Sequence, residues 1–209
     1  LPFNPASAVP LPKVGRRVDL RHLSTDEVQR LIGMTTDARD KAMLTLLYYA
    51  GLRAAETVSV RWRDLCFRQV GQKGTGQVTV VGKGEKVRTI VLGCQAWDSL
   101  LEYRDRRGPG SGPMPTGEPT SPEEMVIFPS REGGPLTTRT VHNVVTRAAR
   151  RARIGKKVSP HWLRHSHATH SIQRGCPLDV LQATLGHASL TTTSTYIHSN
   201  PETSSALWL

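Results

Sequence analysis

The sequence predicts a mainly α-helical domain with a small antiparallel β-sheet, an α+β fold. Three observations predict it. Most segments place apolar residues at helical spacing between recognisable caps. One stretch alternates in β-branched residues around a glycine-flanked turn. Hydrophobic residues make up 37% of 209, enough for one core, with no apolar run of membrane-spanning length.

Taken in order, residues 1–19 are proline-rich and aperiodic and read as an arm or linker ahead of a domain spanning 20–209. The start "LPFNPASAVPLPK" has no initiator methionine and no secretory signal, so the chain reads as a fragment or processed form. "STDEVQRLI" opens a helix with a capping box, Ser24 at the cap and Glu27 three residues on. "DARDKAMLTLLYYAGLR" is a second helix with Ala42, Met43, Leu46, Leu47 and Ala50 along one face, stopped by Gly51. "AAETVSV" restarts a short helix.

"QVTVVGKGEKVRTIVL" then reads as a hairpin, and "QAWDSLLEYRDRR" as a helix. The stretch from Gly108 to Pro122 is a loop of Gly, Pro and Ser, and "MVIFPS" a short extended piece. "TTRTVHNVVTRAARRARI" is a basic helix. "SPHWLRHSHATHSIQRG" has Ser159 as cap, Pro160 as its first residue and a stop at Gly175. "PLDVLQATLG" forms one more helix between its proline and its glycine.

The charge balance points to a partner. Lys and Arg exceed Asp and Glu by 28 − 17 = 11, and a globular chain this basic ordinarily meets nucleic acid. Arg139, Arg147, Arg150 and Arg151 crowd one predicted helix and are candidate phosphate contacts, although such a cluster also serves as a solvated face. Cys66, Cys94 and Cys176 show no zinc or redox spacing, which suits a reducing cytosol.

Four short stretches carry candidate chemistry. In "GLRAAE", Arg53 and Glu56 share a helix face; alone, such a pair is usually only a helix contact. In "HWLRH", His161 and Arg164 project to one side near a helix N-terminus, where imidazole, guanidinium and orphan amides could cradle a phosphate. Lys83 in "GKGEK" tips the predicted hairpin, commonly just a charged turn. In "LGHASLTTTSTYIH", His187 follows Leu-Gly, and Tyr196 stands among small hydroxyl residues, either covering a flank of the core or using its own hydroxyl. His161, His165, His167 and His170 invite a zinc hypothesis. Helical geometry splits them, His161 and His165 to one side and His167 and His170 to the other, and no metal is expected.

Read together, these four stretches occur in the order and approximate spacing of the tyrosine recombinase family. The chain resembles, from about Leu20 to His198, the catalytic domain of phage-type integrases and bacterial chromosome-dimer resolvases. The resemblance implies the tyrosine recombinase catalytic fold and a site-specific recombinase or integrase that cuts and rejoins DNA through a 3′-phosphotyrosyl bond. It implies a catalytic set of Arg53, Lys83, His161, Arg164, His187 and Tyr196, supported by Glu56, with no cofactor. Alanines stand at two positions around Arg53 where the family usually has Thr and Ser. It further implies double-stranded DNA as partner, a tetrameric assembly of like subunits on it, no membrane, and a prokaryotic cytoplasmic setting. An N-terminal DNA-clamping domain common in the family is missing from the chain. The tail ending "ALWL" packs on its own domain or, as in relatives, on a neighbouring protomer. A catalytically silent DNA-binding protein of this fold is the alternative reading, and a zinc nuclease built on the histidines a more distant one.

Overall fold

The computed structural model describes residues 21–70, 73–82, 87–107, 125–130 and 134–186. The first helix, α1 (Thr25–Gly33), starts at the predicted capping box: Ser24 Oγ accepts from the Glu27 amide at 3.2 Å, and the Glu27 carboxylate accepts from the Ser24 amide at 2.8 Å. Such reciprocal capping fixes the helix start and is worth about 1 kcal/mol. Immediately before it, the Leu23 amide donates to Ser166 Oγ at 2.8 Å, tying the entry of α1 to a helix far along the chain.

The second helix, α2 (Ala38–Tyr49), differs from the one-faced expectation. Every residue from Ala42 to Tyr48 is buried, because other helices pack around it on several sides, and a helix so enclosed is apolar all round. Its one buried acid, Asp40, is paired by Arg39 and by Arg147. Gly51 ends it in the left-handed region, φ 59°. The short α3 (Ala54–Ser59) follows at once, as expected.

The sheet has three antiparallel strands in sequential order, β1 (Leu65–Val70), β2 (Lys73–Val81) and β3 (Val87–Leu92), with Leu65 opposite Val78 and Val78 opposite Ile90. The sequence reading found β2 and β3 as the hairpin and missed β1. Alternation gives the sheet one face toward the core, through Val78, Val80, Ile90 and Leu92. Helix α4 (Cys94–Arg107) packs on the sheet by laying the Trp97 ring over Gly76, where an added Cβ would fall 2.1 Å from the ring.

The "MVIFPS" piece forms no strand but pairs with the chain near Val60 through a single antiparallel bridge, Arg61 with Val126: Ile127 N–H donates to the Val60 carbonyl at 3.0 Å and Trp62 N–H to that of Met125 at 3.1 Å. Ile127 and Phe128 thereby enter the core. Helix α5 (Thr138–Arg151) buries Val141, Val144, Val145, Ala148 and Ala149, a regular helical stripe. Helix α6 (Pro160–Gln173) crosses α2, and α7 (Leu178–Leu185) closes on α6 through Leu181, Leu185 and Ala168. No helix among the described residues is long and apolar enough to cross a membrane. The predicted arm over residues 1–19, the loop Gly108–Pro122 and the tail lie outside the described residues.

Candidate active site

Two helices end in left-handed glycines, Gly51 after α2 and Gly186 after α7, at φ 59° and 62°. A side chain is excluded at Gly51 by more than its dihedral, since a Cβ there would stand 2.9 Å from both His167 and Leu185. The two helix ends are therefore in contact, and Arg164 of α6 bridges them. Its Nη1 donates to the Gly51 carbonyl and its Nη2 to the Leu185 carbonyl. Helix C-termini carry partial negative charge, so two of them compensate the charge of Arg164, a residue only 2% exposed.

Arg53 sits at the N-cap of α3. Glu56, in the first turn, caps the Arg53 amide with Oε2 at 2.8 Å and takes Arg53 Nη1 on Oε1, also at 2.8 Å. The same carboxylate receives a second guanidinium: Arg88 of β3 donates from Nη1 to Oε1 at 2.9 Å and from Nη2 to Oε2 at 2.8 Å. Burial alone would raise the pKa of Glu56, but the hydrogen bonds and charges of Arg88 and Arg53 outweigh it and hold the acid at about 2. Glu56 is thus a fixed anion at any pH at which the protein would work.

Three successive carbonyls at the end of α7 each receive an arginine. Arg88 Nε binds Thr184 O at 2.8 Å, Arg164 binds Leu185 O, and Arg53 Nη2 lies 3.4 Å from Gly186 O.

Arg53, Arg164 and His161 line one cavity of about 470 Å³, together with Thr138 and His142 from α5 and Ser159. The structure thus brings together three of the six sequence-predicted catalytic residues. Lys83, His187 and Tyr196 lie outside the described residues; His187 directly follows the Gly186 that the arginines hold. Loss of solvation on the cavity wall lowers the pKa of His161, and the positive charges of Arg164, Arg21 and Arg53 lower it further. Its imidazole is therefore neutral near pH 7 and able to accept a proton. The His161 ring meets His165 edge-on at 4.1 Å, whereas His167 and His170 line a separate cavity beside Tyr48 and Arg174, the division that helical geometry predicts. Among the described residues no three His, Cys, Asp or Glu side chains are grouped to hold a metal.

The sequence reading did not single out Arg88, Thr138 or His142. Ser159 holds the predicted N-cap position, but its side chain makes no capping bond and faces the cavity instead. Of the basic residues on α5, Arg147 is engaged by Asp40, while Arg139, Arg150 and Arg151 are exposed.

The profile of the phage integrase family matches residues 21–203. The chain is 35% identical over 199 residues to tyrosine recombinase XerC of Xylella fastidiosa strain M23, covering 93% of this chain and 61% of that protein. It is 36% identical over 199 residues to XerC of Xanthomonas campestris pv. campestris strain B100, covering 93% and 56%. Among solved structures, the XerA recombinase aligns with a TM-score of 0.69 at 29% identity, over 90% of this chain and 62% of that one. A lambda integrase dimer bound to a COC′ core site shares the fold, with a TM-score of 0.61 at 18% identity over 88% and 61%. The chain spans about three fifths of the length of these curated relatives. On the family profile and the relatives' identity together, the chain belongs to the phage integrase family.

Proposed function

We propose that residues 20–209 form the catalytic region of a site-specific tyrosine recombinase that breaks and rejoins double-stranded DNA, with residues 1–19 as its connecting arm. The observation that carries the reading is the pair Arg53 and Arg164 on one cavity that the neutral imidazole of His161 also lines. Two guanidiniums match the non-bridging oxygens of a phosphodiester, and their charge opposes the negative charge that builds in the transition state. Tyr196 Oη attacks phosphorus, and the bond from phosphorus to the 5′-oxygen breaks. A free phenol is only about 0.1% ionised at neutral pH, so its proton passes to His161. The departing 5′-oxygen takes a proton from Lys83, and His187 hydrogen-bonds the phosphate. The 3′-phosphotyrosyl ester retains the energy of the broken bond. Attack by a 5′-hydroxyl reverses the exchange, which balances without ATP or metal.

The solved relatives bear on partners. One is a lambda integrase tetramer bound to a Holliday junction, another XerH bound to a difH substrate. We read this chain as acting likewise in a tetrameric synapse, with its C-terminal tail reaching a neighbouring protomer and exposed Arg139, Arg150 and Arg151 facing DNA. Its setting is the prokaryotic cytoplasm, at the nucleoid.

The test is incubation with a randomised library of nicked duplexes, followed by recovery in SDS and EDTA. A covalent adduct with the attached peptide containing Tyr196 is expected, and Tyr196→Phe should bind DNA yet form none. A gel shift with no adduct would favour the silent DNA-binding alternative, and EDTA-sensitive cleavage a nuclease.

A further inference from the structure

Arg88 lies off the cavity yet holds two parts of the site at once. Its strand position faces inward, in phase with the buried Ile90 and Leu92 and opposite the buried Val80 of β2. An aliphatic side chain there would continue the stripe at far lower desolvation cost than a guanidinium. What an aliphatic cannot do is bridge. The Arg88 fork meets both oxygens of Glu56, and its Nε turns the other way to the Thr184 carbonyl at 2.8 Å. The side chain is 11% exposed, and its guanidinium fills the space beside Gly186, where an added Cβ would stand 3.1 Å from Nη1.

We propose, resting on the recombinase reading, that Arg88 is a positioning residue: by gripping Glu56 and the end of α7 together, it keeps Arg53 presented to the phosphate and fixes the point from which the chain leaves toward His187 and Tyr196. The geometry gives the reason. Glu56 has two oxygens and two guanidinium partners. Arg88 takes both oxygens in fork-to-fork fashion, so Arg53 shares only Oε1 through Nη1 and stays 39% exposed. Without Arg88, the carboxylate is left to Arg53 alone. A two-oxygen pairing would then turn the Arg53 fork inward and neutralise the charge meant for the substrate. In the same change Thr184 O loses the Arg88 bond, and of the three arginine bonds to the α7 end those to Leu185 O and Gly186 O remain.

Duplexes recovered with the wild-type chain supply the test, in single-turnover adduct formation at saturating DNA. Arg88→Met should keep the wild-type fold by circular dichroism and a duplex Kd within about threefold. Its cleavage rate should fall about 10- to 1000-fold, the upper end being the loss when a transition-state donor is removed outright. Arg88→Lys, which keeps the charge without the fork, should recover only part of the rate. Should Arg88→Met not fold, Arg88→Lys carries the same comparison. A double-mutant cycle separates positioning from general loosening: Arg88→Met combined with Glu56→Gln should be no slower than the worse single variant within about twofold, whereas independent effects multiply. The inference is overturned by a folded Arg88→Met that cleaves at the wild-type rate, or by losses that multiply. Failure of the wild type itself to form an adduct would instead count against the recombinase reading.

Discussion

Replacing Gly51 by alanine adds one methyl group at the junction of two helix ends, and the structure sets its cost. At φ 59° the new residue must adopt a left-handed backbone, for about 1–2 kcal/mol. Its Cβ would also lie 2.9 Å from His167 Cδ2 and 2.9 Å from Leu185 Cδ2. Leu185 is fully buried and cannot swing away, so overpacking adds about 1–3 kcal/mol. The total is about 2–5 kcal/mol, or a fall in Tm on the order of 10 °C for a chain of this size. Gly33→Ala is the matched control. Gly33 closes α1 with no heavy atom near its would-be Cβ and no positive φ, so alanine should be neutral or stabilise by up to about 1 kcal/mol. Urea and thermal unfolding followed by circular dichroism measure both variants. Should Gly51→Ala cost less than 1 kcal/mol, or should the two variants lose alike, the contact between the α2 and α7 ends is not as described.

Two further outcomes follow from the arginine and histidine environments. Arg164→Lys keeps the charge but cannot reach the Gly51 and Leu185 carbonyls together; adduct formation should drop about 100-fold or more, and a rate near wild type would mean a point charge suffices. Stability should fall in acid, chiefly through His167. Burial, opposed by a hydrogen bond to the Tyr48 backbone and reinforced by the charges of Arg164 and His170, lowers its pKa to about 4. The unfolded chain takes up that proton near pH 6.5 and the native state only near 4. The stabilising effect is therefore complete above pH 6.5, and about 2–3 kcal/mol is lost as pH falls to 4. His22, His161 and His170 shift in the same direction. Glu56, lowered to about 2, adds its own loss below about pH 4.5. Urea midpoints from pH 7 to pH 4 should slope less in His167→Gln than in wild type; equal slopes would place the acid sensitivity elsewhere.

How far such a site could be read in advance depended on the range of its contacts. The capping box at Ser24, the glycine stops at Gly51 and Gly186 and the pairing of β2 with β3 as a hairpin are local, and local signals sufficed. Arg53, His161 and Arg164 stood out because two short motifs place them on helix starts, but only the resemblance of the four stretches read together singled them out from ordinary helix contacts. The strand β1 was not legible, because "LCFRQV" puts Arg68 and Gln69 side by side and lacks the run of β-branched residues that marks β2 and β3. Arg88 was hidden for another reason: β3 is apolar on both faces, with Val87 and Val91 each 65% exposed, so alternation does not reveal that the arginine points inward. The carbonyl network was beyond any local reading. Arg88 reaches Thr184 across 96 residues and Arg164 reaches Gly51 across 113, and only the packed helices bring those groups together. Thr138 and His142 join the cavity from α5 in the same way.

The charge balance of this network bears on what completes it. Arg53, Arg88 and Arg164 bring three positive charges, and the Glu56 carboxylate offsets one. The ends of α2 and α7, which Arg164 bridges, each contribute roughly half a negative charge. About one positive charge is left over among these hydrogen-bonded groups. It falls on the cavity side, because Arg88 is sequestered against Glu56 while Arg53 and Arg164 line the opening. Burial on the cavity wall is the larger cause of the lowered pKa of His161, and this excess, through Arg164 and Arg53, lowers it further. A phosphodiester carries one negative charge, so binding it would neutralise the site. The same step would relieve the part of the shift that comes from Arg164 and Arg53, and so raise the basicity of His161 once the substrate is in place. His161 should therefore be a stronger base in the DNA complex than in the free protein.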